Sequence, residues 1–470
     1  LQTAHGIQSI QPLLKLMNVS RIQVTKLFDE LDHDLEYTDN ERMMILTGLN
    51  GSGKTTILHF IDVLFNKSLT QLCNIPFGMI KIFFDNRTAL SVEKNVNHQN
   101  EEEQNLPLLI KYYVNEDVHQ FVPSKTLTTN VKTGRGLVYI EGIMPDLHLS
   151  SIDSVIPELR RVSALDWENS ETGLTLSLVD VLIQYSDRLR YYHINEVLQT
   201  PEWFQDLKSS INAKFIDTDR LTHVASTTFR HLDRDRLTPT VNQYSKHLTD
   251  IITDLIVQYG ALSQTLDSTF PARVVNNRQH NGLSIETLRD ELVAIENKRV
   301  DLEKAGLVEL DQSHLAIPDL SNIDHSQIDM LSVYTKDVQE KLAVFDDLYE
   351  KVSVFRRILN SRFSNKKVSV SANGLRVSKN GSASLKLELL SSGEQHELVM
   401  LYDLLFRAPK NSLILIDEPE ISLHVAWQEQ WLDDLDEIIA LTDSRAIIAT
   451  HSPEIIGRRL NLSVELHSSR

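Results

Sequence analysis

Apolar and polar side chains alternate over residues 21–28 (RIQVTKLF) and again in the stretch that ends at Tyr37. That period of two predicts a hairpin of half-buried strands, with Asp32 and Asp34 in the connection or facing solvent. Four apolar residues at 43–46 then enter a glycine-rich turn, after which Ile57, Phe60, Ile61 and Leu64 recur at helical spacing. The pattern is strand, loop, helix. Between Ile80 and Ile140 the runs MIKIFF, ALSVEK, LPLLIKYYV and GLVYIEGI predict antiparallel strands beside that helix. Residues 150–210 read as largely helical, residues 214–221 (KFIDTDRL) as a further core strand, and residues 244–259 as a long helix.

Two heptad-like series follow: Ile285, Leu288, Leu292, Ile295 and Leu302, then Val338, Leu342, Phe345, Tyr349, Val352 and Leu359. A polar segment containing Pro318 separates them. They predict an antiparallel helix pair projecting as an arm, about 20 residues of helix reaching roughly 30 Å. An ordinary helical subdomain is the alternative. KKVSVSANGLRVSKN then reads as a hairpin around Asn373 and Gly374.

Composition narrows the class. With 470 residues, 41% hydrophobic and 24% charged, the chain is ordinary for a soluble globular protein of one to three domains. It shows neither an apolar run of about 18 residues nor a signal-peptide pattern, so a cytoplasmic location without membrane partners is expected. Cys73 is the only cysteine, which excludes an internal disulfide and multi-cysteine zinc or iron-sulfur sites. The net charge of −18 repels phosphate backbones, so any nucleic-acid contact must be local. Arg356-Arg357, Lys366-Lys367 and Arg458-Arg459 are the conspicuous basic pairs.

The chemistry concentrates in four places. Residues 48–55, with Asn50, Gly51, Ser52, Gly53, Lys54 and Thr55 followed by Thr56, fit G-x-x-x-x-G-K-[ST] between a strand and a helix. Glycines let backbone N–H groups turn inward around phosphates, and the helix N-terminus adds favourable potential for anions. Lys54 would sit between β- and γ-phosphates, and Thr55 would offer its hydroxyl to Mg²⁺. NSLILIDE ends in Asp417 and Glu418 where a buried strand would reach a ligand crevice: Asp417 would hold the metal and Glu418 would deprotonate the attacking water. RAIIAT is a second such strand, with His451 at its tip as a γ-phosphate sensor. Ser391, Ser392, Gly393 and Glu394 precede an apolar helix. Serine there is a good N-cap, and the same geometry makes a second anion site suited to nucleotide held by another copy. Asp217-Thr218-Asp219 and His231-Leu232-Asp233 carry metal-ligand residue types, but the first lies on the predicted core strand and the second in a polar turn.

In their order these elements resemble the nucleotide-binding head of ABC ATPases: Walker A at Lys54, signature at residues 391–394, Walker B at Asp417 and Glu418, the D-loop region at residues 422–424, and the switch histidine at His451. Ser392 and Glu394 depart from the transporter signature, and no glutamine is assigned to the Q-loop, Gln71 being a poor fit. Ser391 lies 337 positions after Lys54 (391 minus 54), which resembles the SMC, Rad50, RecF and OLD branch. FIDTDR, VNQYSKHL, LSQTLDSTFPARV, LSSGEQHELVMLYDLLF, IDEPEISLHVAWQ and ATHSPEII resemble bacterial AAA-type ATPases of antiphage systems, PtuA-like (Septu and retron-associated) and PARIS-type.

The resemblance implies an α/β fold: an ABC ATPase head with a mixed sheet and an antiparallel β layer, plus an inserted coiled-coil-like helical arm. Residues 1–280 and 363–470 would form the head and residues 281–362 the arm. It implies ATP and Mg²⁺ as ligands and a homodimer closed through an ATP sandwich, or a higher oligomer. It further implies a separate HNH or Toprim-like effector nuclease, since only 19 residues follow His451 (470 minus 451), and as other partners a retron reverse transcriptase with its msDNA, or a phage trigger. A DNA-repair head of RecF or Rad50 type and an ATP-dependent scaffold with little turnover remain alternatives.

Overall fold

Alternation at the start of the chain resolves as the antiparallel hairpin β1 (Val19–Leu27) and β2 (Leu31–Glu36) in a computed structural model. The structure describes residues 17–38, 41–94, 106–125, 198–218, 220–224, 237–276, 284–308, 324–379, 384–421, 423–457 and 459–467, and within 152–185 residues 152, 156, 158–162, 166–169, 175–177, 181 and 185. The apolar run at 43–46 is β3 (Met43–Gly48), and the helix after the glycine-rich turn is α1 (Lys54–Asn66). β4 (Met79–Phe84), β5 (Ala89–Lys94), β6 (Leu108–Val114) and β7 (Asp117–Phe121) complete a six-stranded antiparallel sheet of order β2-β1-β4-β5-β6-β7. GLVYIEGI lies outside the described residues.

The helical expectation for residues 150–210 is corrected. The described positions there include a three-stranded antiparallel sheet, Leu159–Arg161, Asp166–Asn169 and Thr175–Ser177, and only one helix of several turns, α2 (Glu202–Ser209). Such short strands are decided by their partners across the sheet rather than by a periodicity inside one window.

β8 (Asn212–Ile216) precedes α3 (Thr240–Asn276), α4 (Ile285–Ala305), α5 (His325–Ala343) and α6 (Asp346–Arg362). The hairpin of β9 (Lys366–Ser371) and β10 (Gly374–Lys379) turns at Asn373 and Gly374 as predicted. Then come α7 (Ser392–Tyr402), β11 (Ser412–Asp417), α8 (Val425–Thr442), β12 (Arg445–Ala449) and β13 (Ser463–Leu466).

The central sheet has the order β8-β11-β12-β3-β13, and each neighbouring pair is parallel. Both of its faces are covered, which is why its three inner strands, β11, β12 and β3, read as continuous apolar runs. Met43, Ile45, Ile414, Ile416, Ala446 and Ile448 join the core built with α3, α6, α7 and α8. Met44, Leu46, Leu413, Leu415, Ile447 and Ala449 join the core that holds α1 and the antiparallel sheet. Helix α1 is buried around most of its girth, with Ile57, Leu58, Phe60, Ile61, Val63, Leu64 and Phe65 all inside. Each such side chain contributes about 1.5–3 kcal/mol through burial. That clamps α1, and the glycine turn before it, in the core shared by the two sheets.

The arm differs from the expected antiparallel pair. Its outgoing helix is α3, 37 residues long, which is antiparallel to α5: Tyr259 meets Phe345, Asp267 pairs with Lys341 (2.7 Å), and Asp337 with Arg273. Helix α4 runs parallel to α5 and α6, because Glu291 accepts from Thr335 (2.9 Å), Lys298 pairs with Asp346 (2.6 Å), and Arg356 donates to Lys304 O (2.7 Å). A heptad stripe identifies the buried face but not the direction of the helix it meets. Arg362 at the end of α6 forms a buried triad with Glu397 of α7 and Asp434 of α8, binding the base of the arm to the head. No described helix is long and apolar enough to cross a membrane.

Candidate phosphate-binding and catalytic site

The parallel order brings the C-terminal ends of β3, β11 and β12 side by side, with Gly48, Asp417 and His451 at or just beyond them. Gly53 caps α1 in the left-handed region (φ 92°), and a Cβ there would overlap the Leu27 side chain of β1. Gly48 (φ 144°) leaves 2.5 Å between a would-be Cβ and Leu466 O. Glycine is therefore required at both by conformation and by close approach.

Lys54 Nζ donates to Gly48 O (2.9 Å) and Leu49 O (3.2 Å), which curls its side chain back over the loop. Burial lowers the Lys54 pKa, against the raising charges of Glu418, Asp417 and Glu420. His33, on β2, donates from Nε2 to Ser52 O (3.0 Å). That bond ties the carbonyl of the glycine-rich loop to the neighbouring hairpin strand. Burial lowers the His33 pKa, which favours the neutral ring. The Ser52 hydroxyl is buried with no protein hydrogen-bond partner among the described residues, an orphan that a phosphate oxygen would satisfy. Asn50 and Gly51 are exposed at the tip of the loop, and Thr56 is half-buried in the first turn of α1.

Thr55 Oγ1 donates to Asp417 Oδ1 at 3.1 Å across 362 positions of sequence. Asp417 is 3% exposed. Its pKa is pushed up to about 6, chiefly by burial, with the charges of Glu418, Asp217 and Glu420 adding and the Thr55 bond opposing. Glu418 turns out of the strand at φ 41°, a left-handed conformation rare for a non-glycine residue. Its N–H donates to Ala449 O (2.9 Å), and Arg220 Nη2 donates to its carbonyl (3.4 Å). Arg220 is 5% exposed, so this guanidinium is buried beside the acidic turn. His451 is exposed beyond β12, with its N–H held by Glu420 Oε1 (2.7 Å).

Ser391 is the N-cap of α7 and forms a capping box with Glu394. Glu394 Oε2 accepts from Ser391 N (2.8 Å) and Oγ (2.9 Å), while Lys366 Nζ pairs with both carboxylate oxygens (2.7 and 2.6 Å). Burial pushes the Glu394 carboxyl up, but Lys366 and Ser391 outweigh it and hold its pKa below the ordinary value. Glu394 is thus committed to its own helix start, whereas Ser392 and Gly393 open the first turn. The sequence motifs fall into two groups: Lys54 and Thr55 share one site with Asp417, while Ser391 and Glu394 bond within their own helix start and to Lys366.

His33, Arg220 and Glu420 make contacts at these centres that the sequence did not single out, and Lys366 was marked there only as one of a basic pair. Each meets a partner on another element, from 19 positions away for His33 to 198 for Arg220, and no local pattern marks such a pairing. The Asp217 carboxylate accepts from Thr218 N (2.6 Å), a local turn, while Asp219, residues 231–233, Ser422 of the D-loop region and Arg458 lie outside the described residues. No group of three or more His, Cys, Asp or Glu among the described residues could hold a metal ion.

Residues 26–456 match the AAA ATPase domain family. The chain belongs to that family. No curated protein matches this AAA ATPase. Among solved structures it is similar to an SMC head domain with an extended coiled coil bound to the C-terminal domain of ScpA from Pyrococcus furiosus, at 12% identity over 94% of this chain and 91% of that one, TM-score 0.35. It is also similar to an SMC head bound to the C-winged helix domain of ScpA, at 9% identity over 93% and 91%, TM-score 0.33. The ATPase assignment agrees with the phosphate loop at Lys54.

Proposed function

We propose that this AAA ATPase binds and hydrolyses ATP between two copies of the chain, and that this closure regulates a separate effector nuclease in an antiphage complex. The observation that carries the ATP reading is the Thr55 to Asp417 hydrogen bond, which joins the phosphate loop to the Asp-Glu turn. Thr55 and Asp417 supply hard oxygen donors that suit Mg²⁺, a cation usually held by one or two protein oxygens together with phosphate oxygens. When bound, Mg²⁺ neutralises charge on the β- and γ-phosphates.

Lys54 leaves its loop carbonyls to contact those phosphates. Glu418 orients the attacking water and takes its proton as the new O–P bond forms and the β–γ bridging P–O bond breaks, releasing ADP and phosphate. His451 meets the γ-phosphate from the next strand tip. Ser391, Ser392 and Gly393 of the second copy complete the site, and Glu394 keeps that helix start in shape. The nuclease and defence part rests on the resemblance of the quoted strings to PtuA-like and PARIS-type ATPases, and the arm or outer surface would dock the effector.

The test is the Glu418→Gln chain, expressed with the products of its genomic neighbours and weighed as an intact complex with and without ATP. It should retain ATP, accumulate the closed assembly and release no phosphate. Unchanged phosphate release removes Glu418 as the base. A closed dimer that recovers no nuclease-class chain removes the effector part and leaves an ATP-dependent clamp.

A further inference from the structure

We propose that Glu420 is the positioning residue that sets His451 in place for hydrolysis, by locking the turn after β12 to the turn after β11. The proposal rests on the hydrolytic reading above. Glu420 Oε1 accepts three hydrogen bonds, from Thr450 Oγ1 (2.7 Å), His451 N (2.7 Å) and Ser452 N (3.0 Å). Bonds to an ionised acceptor are roughly twice as strong as neutral ones, and here two consecutive N–H groups converge on one oxygen.

That convergence fixes the peptide planes on both sides of His451. The imidazole itself is exposed, so its placement comes through its backbone. Neighbouring bonds stiffen the same junction: Glu418 N to Ala449 O (2.9 Å), Thr450 N to Leu46 O (3.2 Å), and Ser452 Oγ to Gln428 Oε1 (2.7 Å). Only Pro419, which is buried, separates Glu418 from Glu420. The base and the clamp on His451 therefore ride on one short turn, and a shift of that turn moves both together.

Glu420 also lies near enough to the phosphate loop for its charge to act on Lys54. A purely structural cap would stabilise the turn equally whether or not His451 is present. A positioning residue acts through the histidine, and that difference is measurable.

Steady-state hydrolysis and ATP binding are compared for the parent chain, Glu420→Ala, Glu420→Gln, His451→Ala and the Glu420→Ala/His451→Ala double variant. We expect Glu420→Ala to lower kcat about 10- to 100-fold with ATP Kd changed by less than about threefold, the pattern of a lost transition-state contact. Glu420→Gln keeps an acceptor oxygen and should stay within about fivefold of the parent. In the His451→Ala background, Glu420→Ala should lower kcat by less than about a further twofold, because the two act as a unit. A full additional loss in that background, or a loss of ATP affinity in proportion to kcat, overturns the proposal. Should Glu420→Ala fail to fold, the Glu420→Gln loss is followed through the same cycle, and its persistence without His451 is the refuting result. Glu418→Gln separates the two readings: if it keeps releasing phosphate the hydrolytic assignment fails, and if it is inactive while Glu420→Ala behaves as the parent only the Glu420 inference fails.

Discussion

At Asp417 the fold holds a carboxyl in a place that disfavours its charge. Burial, aided by Glu418, Asp217 and Glu420, puts its pKa at about 6 against an ordinary 3.8. Between those values the folded chain binds the extra proton, so stability falls as pH rises through the window, and above it the full cost of the buried charge is present. Under the proposed role the ionised Asp417 holds Mg²⁺, so Mg-ATP affinity should fall as pH drops through about 6, read by titration calorimetry from pH 8 to 5. Asp417→Asn should abolish that pH dependence and Mg²⁺-dependent turnover, while raising the Tm of the nucleotide-free chain by about 2 °C at pH 8. Lys54, Thr55, Asp417, Glu418 and His451 were legible as candidates because each stands at a fixed offset from a glycine turn or an apolar strand. His33 and Glu420 were not, since a lone polar residue carries no local sign of the carbonyl or N–H it will meet.

Elements were read well where one window holds the whole signal. The hairpins at 19–36 and 366–379, β3 with α1, and the two strands that end at Asp417 and Ala449 lie where the pattern places them. The arm was misread in direction, because apolar spacing is the same for parallel and antiparallel partners. The end of α4 shows how its actual direction is held. Gly306 closes the helix at φ 78°, and a Cβ there would overlap Val370 O of β9. Gly306→Ala should destabilise the chain by about 1–3 kcal/mol, seen as a lower urea midpoint, with ATP affinity unchanged because the phosphate loop lies in the other core. Lost ATP affinity at full stability would instead tie this helix end to the nucleotide site.

For the whole molecule the decisive feature is that β3, Met43–Gly48 near the start of the chain, sits between β12 and β13 from its last twenty-six residues. The sheet closes the phosphate loop onto the Asp-Glu turn, while the Ser391 helix start bonds to its own residues and to Lys366. If that helix start serves a second copy, Lys54→Ala and Ser391→Arg variants, each inactive alone, should complement when mixed. Random pairing at equal amounts makes half the dimers mixed with one intact site each, so turnover should recover to about a quarter of the parent. No recovery, with mixed dimers present by native mass spectrometry, would place the whole reaction within one chain. By itself the sequence determined which groups are on offer: a phosphate loop, an Asp-Glu pair at a strand tip, a histidine and a capped helix, each written in a handful of adjacent residues whose local conformation is dictated by glycine, by apolar runs and by a serine cap. Only the tertiary structure decided which of these meet, how the arm helices run, and that His33 bonds to the phosphate loop and Glu420 to the turn after β12, because those pairings join separate elements and are selected by burial of two sheet faces at once.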